Sequence, residues 1–113
     1  MNSLLTLTLL QQIIDQLPMN IFCRDTDGRY LFANRTFVEQ AGLQQTEELI
    51  GKTDIEMPWG NIFREEDDRL LAEGNPLLYQ QLHCNSGDST RWMEIHKIPL
   101  YDEQGKPVAL FGM

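Results

Sequence analysis

The sequence is poor in cysteine, in positive charge and in long hydrophobic runs, and each shortage excludes a class of protein. Its two cysteines, Cys23 and Cys84, form no CxxC pair and predict a reducing compartment rather than a disulfide framework. Nine Lys and Arg stand against seventeen Asp and Glu, a net charge of −8, so we expect no binding to nucleic acid or anionic membranes. The one apolar run, residues 4–10, is far shorter than the ~20 residues of a membrane span. These features predict a cytoplasmic protein without direct membrane contact.

The first 18 residues predict an amphipathic helix that precedes the main domain. Pro18 ends the helix, and an apolar stripe at helical spacing forms one part of a candidate interface. The stripe consists of Leu10, Ile13, Ile14 and Leu17. We expect it to pack on its own domain or on a second copy. The main domain is predicted to cover residues 19–113 and to continue into a longer protein, because the last strand has no closing turn.

The rest of the chain alternates between extended and helical patterns. Asn34 is predicted to cap a short helix that Gly42 ends, and Gly51 ends the next helical piece. The predicted helical pieces are 34–42, 46–51, 53–57 and 59–74. The predicted strands are 20–24, 29–33, 77–84, 90–100 and 108–111. This order indicates an α+β fold with a five-stranded antiparallel sheet.

Several of these segments together resemble a PAS domain, the sensory-box input domain of bacterial signalling proteins. The first motif is Phe22-Cys23-Arg24-Asp25, followed by Asp27-Gly28, Tyr30, Ala33-Asn34 and Phe37. The second is Ile50-Gly51-Lys52-Thr53-Asp54, and the third spans residues 92–108 with a D-x-x-G turn. The resemblance covers residues 10–113. It implies a PAS-like five-stranded sheet with short helices on one face and a cavity between them. In such a fold, Asn34 would cap a helix, Gly51 would form a turn, and Asp54 would be a local hydrogen-bonding carboxylate.

The resemblance also restricts which cofactors we expect the domain to bind. PAS domains similar to oxygen sensors bind haem through a histidine on the long helix, and residues 59–74 contain no histidine. The related LOV group forms its flavin adduct on a cysteine after the Gly51 region, which here reads GKTDIEMPWGN. We therefore expect neither haem nor a flavin adduct. Non-covalent FAD, with Trp59 near the pocket mouth, and a small metabolite stay open, and the cofactor is unknown.

No pattern in the sequence predicts a metal site or an enzyme. His83 and His96 would share one face of a symmetric hairpin but lie ~13 Å apart, while Cys84 points to the other face. The acidic run at residues 65–68 is interpreted as a solvated helix face, since its members point in successive directions. The chain has no nucleophile–base pair and no Gly-rich phosphate loop, so catalytic and metal-ligating residues are both predicted to be absent.

The residues predicted to line the cavity are apolar, as in most small-molecule sites. They are Phe22 (or Cys23), Phe32, Phe37, Trp59, Ile62, Phe63, Leu82, Met93 and Ile95. On the opposite face of the same strand, Trp92, His96 and Ile98 form the second part of the candidate interface. We expect a homodimer and an effector domain on the same parent chain, a histidine kinase or a diguanylate cyclase. The alternative is a ligand-free dimerisation module.

Overall fold

A computed structural model gives the structure of residues 3–57, 60, 63–86 and 89–113, with residues 82–86 and 89–92 described by their backbone alone. Five strands form one antiparallel sheet in the order β2-β1-β5-β4-β3. They are β1 (Phe22–Asp25), β2 (Tyr30–Ala33), β3 (Leu77–Ser86), β4 (Ser89–Tyr101) and β5 (Pro107–Gly112). The five-stranded sheet predicted from the sequence is therefore confirmed.

The helices precede the sheet hairpin formed by β3 and β4. They are α1 (Ser3–Gln16), α2 (Arg35–Gln40), α3 (Arg64–Glu73) and two 3₁₀ turns, Thr46–Glu48 and Asp54–Glu56. None of the described helices is long and apolar enough to cross a membrane. α1 has no buried residue, and hydrogen bonds attach it to the domain near its C-terminal end.

Asn34 joins the end of α1, the start of β1 and the start of α2. Its side-chain oxygen accepts hydrogen bonds from the backbone N–H groups of Ile21 and Phe37, at 3.0 and 3.1 Å. Its side-chain nitrogen donates to the carbonyl oxygens of Ile14 and Met19. The cap predicted at Asn34 is confirmed, and the same amide also fixes where α1 leaves the domain.

α3 is shorter than the helix predicted over 59–74. Its first residue is Arg64, and Gly60 upstream has a φ of +72°, a left-handed conformation that no α-helix continues through. The C-terminal boundary agrees with the prediction, because Gly74 (φ +73°) supplies the left-handed cap. α3 packs against β4 and β5, on the face of the sheet that also contacts α2.

The apolar core lies at the β1–β2 end of the domain. Its buried members are Tyr30, Ala33, Val38, Leu49 and Met57. Phe22 and Phe37 pack against the Tyr30 ring, with ring centroids 6.0 and 5.8 Å away. These aromatic contacts join the sheet to α2.

Strand register determines which side chains share each face. The pairs Arg24–Leu110 and Pro99–Leu110 belong to the inner face, toward α3. The outer face carries an apolar row across four strands, formed by Phe32, Cys23, Phe111 and Ile98. Each member of this row is half-buried.

Candidate functional site

Two strands of the sheet each place a long cationic side chain on the inner face. Arg24 follows Phe22 by two residues in β1, and Lys97 follows Ile95 by two residues in β4, so each shares the face of its apolar neighbour. Both are almost completely buried, with Lys97 only 1% exposed. A buried cation is unfavourable unless it is paired, so Arg24 and Lys97 each require a partner of opposite charge.

The partners are carboxylates from α3 and from the second 3₁₀ turn. Asp67 of α3 lies between the two cations, with one oxygen 2.6 Å from Arg24 Nη2 and the other 2.9 Å from Lys97 Nζ. Arg24 Nη1 also donates to Asp54, and Lys97 Nζ donates to Glu66 at 3.2 Å. Each cation therefore contacts two carboxylates, and Asp67 is shared by both.

Neutral side chains complete the two ends of this series. The Tyr30 hydroxyl donates to Asp54 Oδ1, and Gln80 Nε2 donates to Glu66 Oε2 at 2.9 Å. We call the whole series the ion-pair chain: Tyr30, Asp54, Arg24, Asp67, Lys97, Glu66 and Gln80. It runs across the inner face from β2 to β3, and its acids tie α3 and the second 3₁₀ turn to the sheet.

Aromatic rings cover both cations of the ion-pair chain. The Arg24 guanidinium carbon lies 4.9 Å from the Phe22 ring centroid and 5.4 Å from that of Tyr30. Lys97 Nζ lies 4.0 Å from the ring centroid of Phe63, just before α3. Cation–π contacts of this kind supplement the ion pairs where water is excluded.

The two acids of α3 are affected differently by their surroundings. Burial raises the pKa of Asp67 above its ordinary value, and outweighs the opposing attraction of Arg24 and Lys97. Burial also acts on Glu66, but there the hydrogen bond from Gln80 and the charge of Lys97 prevail and lower the pKa. The fold therefore shifts the pKa values of these two neighbouring acids in opposite directions.

A small cavity adjoins the ion-pair chain between the Asp25–Gly28 turn and α3. The space open to the centre of a water molecule is about 20 Å³, enough for roughly one water. Arg24, Asp54 and Asp67 are on its wall, together with Arg64 and Leu110. Among the described residues, no group of three His, Cys, Asp or Glu is placed to hold a metal ion.

The predicted cavity residues separate into several groups. Phe22 and Phe37 belong to the aromatic part of the core, whereas Phe63 covers Lys97. Met93 and Ile95 are half-buried in the same alternation as Lys97, which places them on the inner face. Trp59 and Ile62 lie outside the described residues, as does the side chain of Leu82.

One predicted cavity residue lies on the wrong face. A bulge between Cys23 and Arg24 pairs Tyr30 with Arg24 but Phe32 with Cys23. Phe32 therefore lies on the outer face of the sheet, away from α3. The prediction for Phe32 is therefore wrong, because a bulge cannot be inferred from so short a strand.

The outer face holds the rest of the candidate interface. Ile98 belongs to the apolar row, and the side chain of Trp92 lies outside the described residues. His96 accepts a hydrogen bond from Tyr79 N–H at Nδ1 (3.2 Å), and its Nε2 lies 3.1 Å from Glu94. A bulge displaces Tyr79 from the symmetric pairing with His96 and leaves it with a φ of +58°.

The sequence did not predict the ion-pair chain, and the roles expected for two of its acids were wrong. The run at 65–68 is not simply a solvated face, because Asp67 is buried and Glu66 is half-buried. Asp54 is not a local carboxylate either, since its partners Arg24 and Tyr30 are distant in sequence. A usable signal existed, because Asp67 precedes Leu70 by one helical turn and so shares the face that Leu70 buries.

Comparison with known proteins agrees with this architecture. The family model for the PAS fold matches residues 14–113. The chain therefore belongs to the PAS family. No curated protein matches the sequence.

Solved structures show where similar domains occur. The PAS domain of BvgS from Bordetella pertussis is 24% identical, with a TM-score of 0.76, over 95% of this chain and 82% of that one. The VqmA dimer of Vibrio cholerae is 26% identical (TM-score 0.75) over the whole of this chain but only 51% of VqmA. The histidine kinase ThkA, solved with the response regulator TrrA, is 16% identical (TM-score 0.71) over 90% of this chain and 29% of ThkA. The chain thus spans about half of VqmA and less of ThkA.

Proposed function

We propose that this domain is the non-catalytic sensory input module of a signal-transduction protein and acts as a homodimer. The observation that carries the proposal is the attachment of the C-terminal end of α1 to the start of α2. Asn34 and Thr36 bind the carbonyl oxygens of Ile14 and Leu17, and the Arg35 N–H bonds to Asp15. A shift of the start of α2 would therefore move the end of α1 with it.

The partner that best fits α1 is the same helix of a second copy. Leu7, Leu10 and Ile14 follow the 3-4 spacing of a coiled-coil seam, Leu17 continues that spacing just past the end of α1, and Ile13 flanks the seam. Leu10 and Ile13 are 50% and 57% exposed in the single chain. Pairing two such helices would bury this surface, and relative movement of the two copies would carry the signal to an effector.

The effector that would receive the signal is a histidine kinase or a diguanylate cyclase on the same parent chain. The likeness to ThkA supports the fold of such a module without deciding the effector. A DNA-binding effector is a second candidate, because VqmA, at 26% identity, is described as a dimer with a target DNA. The acidic charge predicts that the PAS domain itself would leave nucleic-acid contacts to such an effector.

A small-molecule signal bound beside the ion-pair chain would require movement of α3. The cavity described there holds roughly one water, so a metabolite or FAD bound at that place would have to separate α3 from the sheet. The alternative, a ligand-free interaction module, needs no such movement. Native mass spectrometry of the freshly purified chain, with an absorption spectrum, separates the two by the presence or absence of an added non-covalent mass.

The dimer is tested by charging the proposed seam. The double variant Leu10→Glu/Ile13→Glu should be monomeric in sedimentation velocity at concentrations where the wild-type chain is dimeric, because like charges would meet across the seam. Gln11→Glu/Gln12→Glu adds the same charge to exposed positions beside it and should remain dimeric. A monomeric wild-type chain, or a dimer that survives the first variant, would reject this interface.

A further inference from the structure

The bulge in β3 is built around a single residue of β4, His96. Leu77 and Gln80 keep regular partners in β4, whereas Leu78 and Tyr79 between them both lie opposite His96. Among the described residues, Tyr79 is the only non-glycine with a positive φ, at +58°. This left-handed conformation is unfavourable for any residue that has a Cβ. The contacts of Tyr79 must therefore hold it there.

The imidazole of His96 provides two of these contacts. Its Nδ1 accepts a hydrogen bond from the Tyr79 backbone N–H at 3.2 Å, and the two rings pack edge to face with centroids 4.6 Å apart. The His96 side chain is 15% exposed, whereas Tyr79 is 69% exposed. Because Tyr79 buries little of its own surface, its contacts with His96 are the ones that oppose the strain.

The hydrogen bonds assign the tautomer of His96. A backbone N–H can only donate, so Nδ1, the nitrogen that Tyr79 contacts, carries no proton. In the neutral ring the proton is then on Nε2, which donates to a carboxylate oxygen of Glu94 at 3.1 Å. The opposite tautomer would bring two donors together at Nδ1 and two acceptors together at Nε2. The closed bulge therefore requires a neutral His96 with its proton on Nε2.

A second proton on His96 is incompatible with the closed bulge. In the imidazolium ion both ring nitrogens are donors, so neither orientation of the ring offers an acceptor to Tyr79. The Nδ1–H group would face the Tyr79 N–H at hydrogen-bonding distance, with no acceptor between them. The bond that opposes the backbone strain would be lost, and release of Tyr79 would relieve both the strain and the repulsion.

The charged groups near His96 do not reverse this preference. Glu94 favours the imidazolium, but it lies two residues away on the same face of β4 and accompanies His96 whether the bulge is closed or open. The buried Lys97 lies on the opposite, inner face with α3. Neither β3 nor β5 contains an Asp, Glu, Lys or Arg. Met113 pairs with the His96 backbone on the β5 side, so its carboxyl group also keeps its place when the bulge changes.

We propose that His96 is a proton-operated clamp on the β3 bulge: the neutral ring holds Tyr79, and the imidazolium releases it. Only the closed bulge needs an acceptor at Nδ1, so a proton on His96 is favoured by the open bulge, and acid favours opening. Gln80, the next residue of β3, donates to Glu66 of the ion-pair chain at 2.9 Å, so the released segment adjoins the interior. As a signal input, the clamp rests on the sensory function proposed above.

The clamp is tested by NMR on the complete chain. The ¹⁵N resonances of the His96 ring should show the Nε2–H tautomer in the neutral form and should then titrate as the ring takes up its second proton. The Tyr79 amide should exchange its hydrogen about tenfold faster on the acid side of the His96 midpoint, after correction for the intrinsic rate. The Leu110 amide in β5 reports general acid effects and should not follow that midpoint.

Two variants of His96 separate the acceptor from the charge. In His96→Asn, the side-chain oxygen replaces Nδ1 as an acceptor that cannot be protonated, so the Tyr79 amide should stay protected and show no titration. His96→Phe keeps a ring but has no acceptor, so the Tyr79 amide should exchange rapidly at every pH. His83→Asn removes the other histidine of the chain and should behave as wild type.

The wild-type chain decides the proposal even where a variant fails to fold. An Nδ1–H tautomer, or Tyr79 exchange that ignores the His96 midpoint, overturns the clamp, and so does a titration that persists in His96→Asn. The sedimentation test of α1 involves neither Tyr79 nor His96. A dimer without the clamp would leave the sensory role in place, whereas a clamp in a monomeric chain would reject only the proposed dimer interface.

Discussion

At the scale of single residues, Asn34 shows why an amide is required where a carboxylate of the same shape would fail. Its oxygen accepts from Ile21 and Phe37, and its nitrogen donates to Ile14 and Met19. An aspartate can accept but not donate when ionised. Since Asn34 is fully buried, all of these groups depend on it rather than on water.

Replacing Asn34 by Asp should lower the unfolding free energy by about 3 kcal/mol, because two carbonyls lose their donor and a charge is buried among them. Urea denaturation measures the loss. The exposed Asn75 provides the control, and Asn75→Asp should change the midpoint little. Similar midpoints for the two variants would contradict the role given to Asn34. In the Asn34 variant, α1 amides should also lose protection from hydrogen exchange.

Local chemistry made Asn34 predictable, whereas the partners of the ion-pair chain were not. A cap depends on residues within one turn, so Asn34 and Phe37 appear together in the sequence. Arg24, Asp54 and Lys97 come together only through the sheet order and the position of α3. Arg and Lys are almost never fully buried unless they are paired. Here the alternation with Phe22 and Ile95 places Arg24 and Lys97 on the inner face.

At the scale of elements, two turns are built alike. In each, an aspartate carboxylate accepts from two backbone N–H groups, and a glycine with positive φ ends the turn: Asp25–Gly28 and Asp102–Gly105. They differ in their surroundings. A Cβ at Gly28 would lie 2.2 Å from Arg64 Nη1, whereas a Cβ at Gly105 would meet nothing within 4 Å.

Gly28→Ala should therefore be more destabilising than Gly105→Ala. Both variants strain a left-handed backbone by roughly 1–2 kcal/mol. Gly28→Ala should cost about 1 kcal/mol more, since Arg64 must move and lose its hydrogen bond to the Asp27 carbonyl. Urea denaturation gives both values. In an Arg64→Ala background the difference should disappear, and its persistence would show that Arg64 is not the cause.

The elements were predicted well where turn chemistry or strict periodicity marks them. Gly42, Gly51 and Gly74 all have positive φ at the ends where they were expected. The start of α3 was placed too early, at residue 59, because apolar spacing continues through Gly60 while the backbone does not. The bulges that displace Phe32 and Tyr79 leave no comparable mark in the sequence.

At the scale of the whole molecule, acid should weaken the fold through the carboxylates whose pKa the fold lowers. Backbone N–H groups lower the pKa of Glu48 and of Glu56, which close the starts of the two 3₁₀ turns. A lowered pKa gives stability that is present above the ordinary value and is lost as the pH falls through the folded one. Glu66 contributes in the same direction.

The double variant Glu48→Gln/Glu56→Gln should flatten the acid side of the stability curve. Urea midpoints measured between about pH 3 and pH 7 should fall less steeply than in wild type, because these groups no longer bind protons on unfolding. Glu47→Gln, an exposed neighbour, serves as control and should retain the wild-type slope. An unchanged slope in the double variant would assign the acid sensitivity elsewhere.

The ion-pair chain also determines how the domain responds to heat. Hydration of charged groups becomes less favourable as temperature rises, so the desolvation penalty on Arg24, Lys97 and their acids decreases. Apolar contacts gain no comparable advantage. α1 has no buried residue and should therefore unfold first on heating. The ion pairs of Asp67 with Arg24 and Lys97 should keep α3 packed on the sheet until the domain itself unfolds. In a domain arranged in this way, α3 and the sheet would stay packed together at temperatures where α1 has already unfolded.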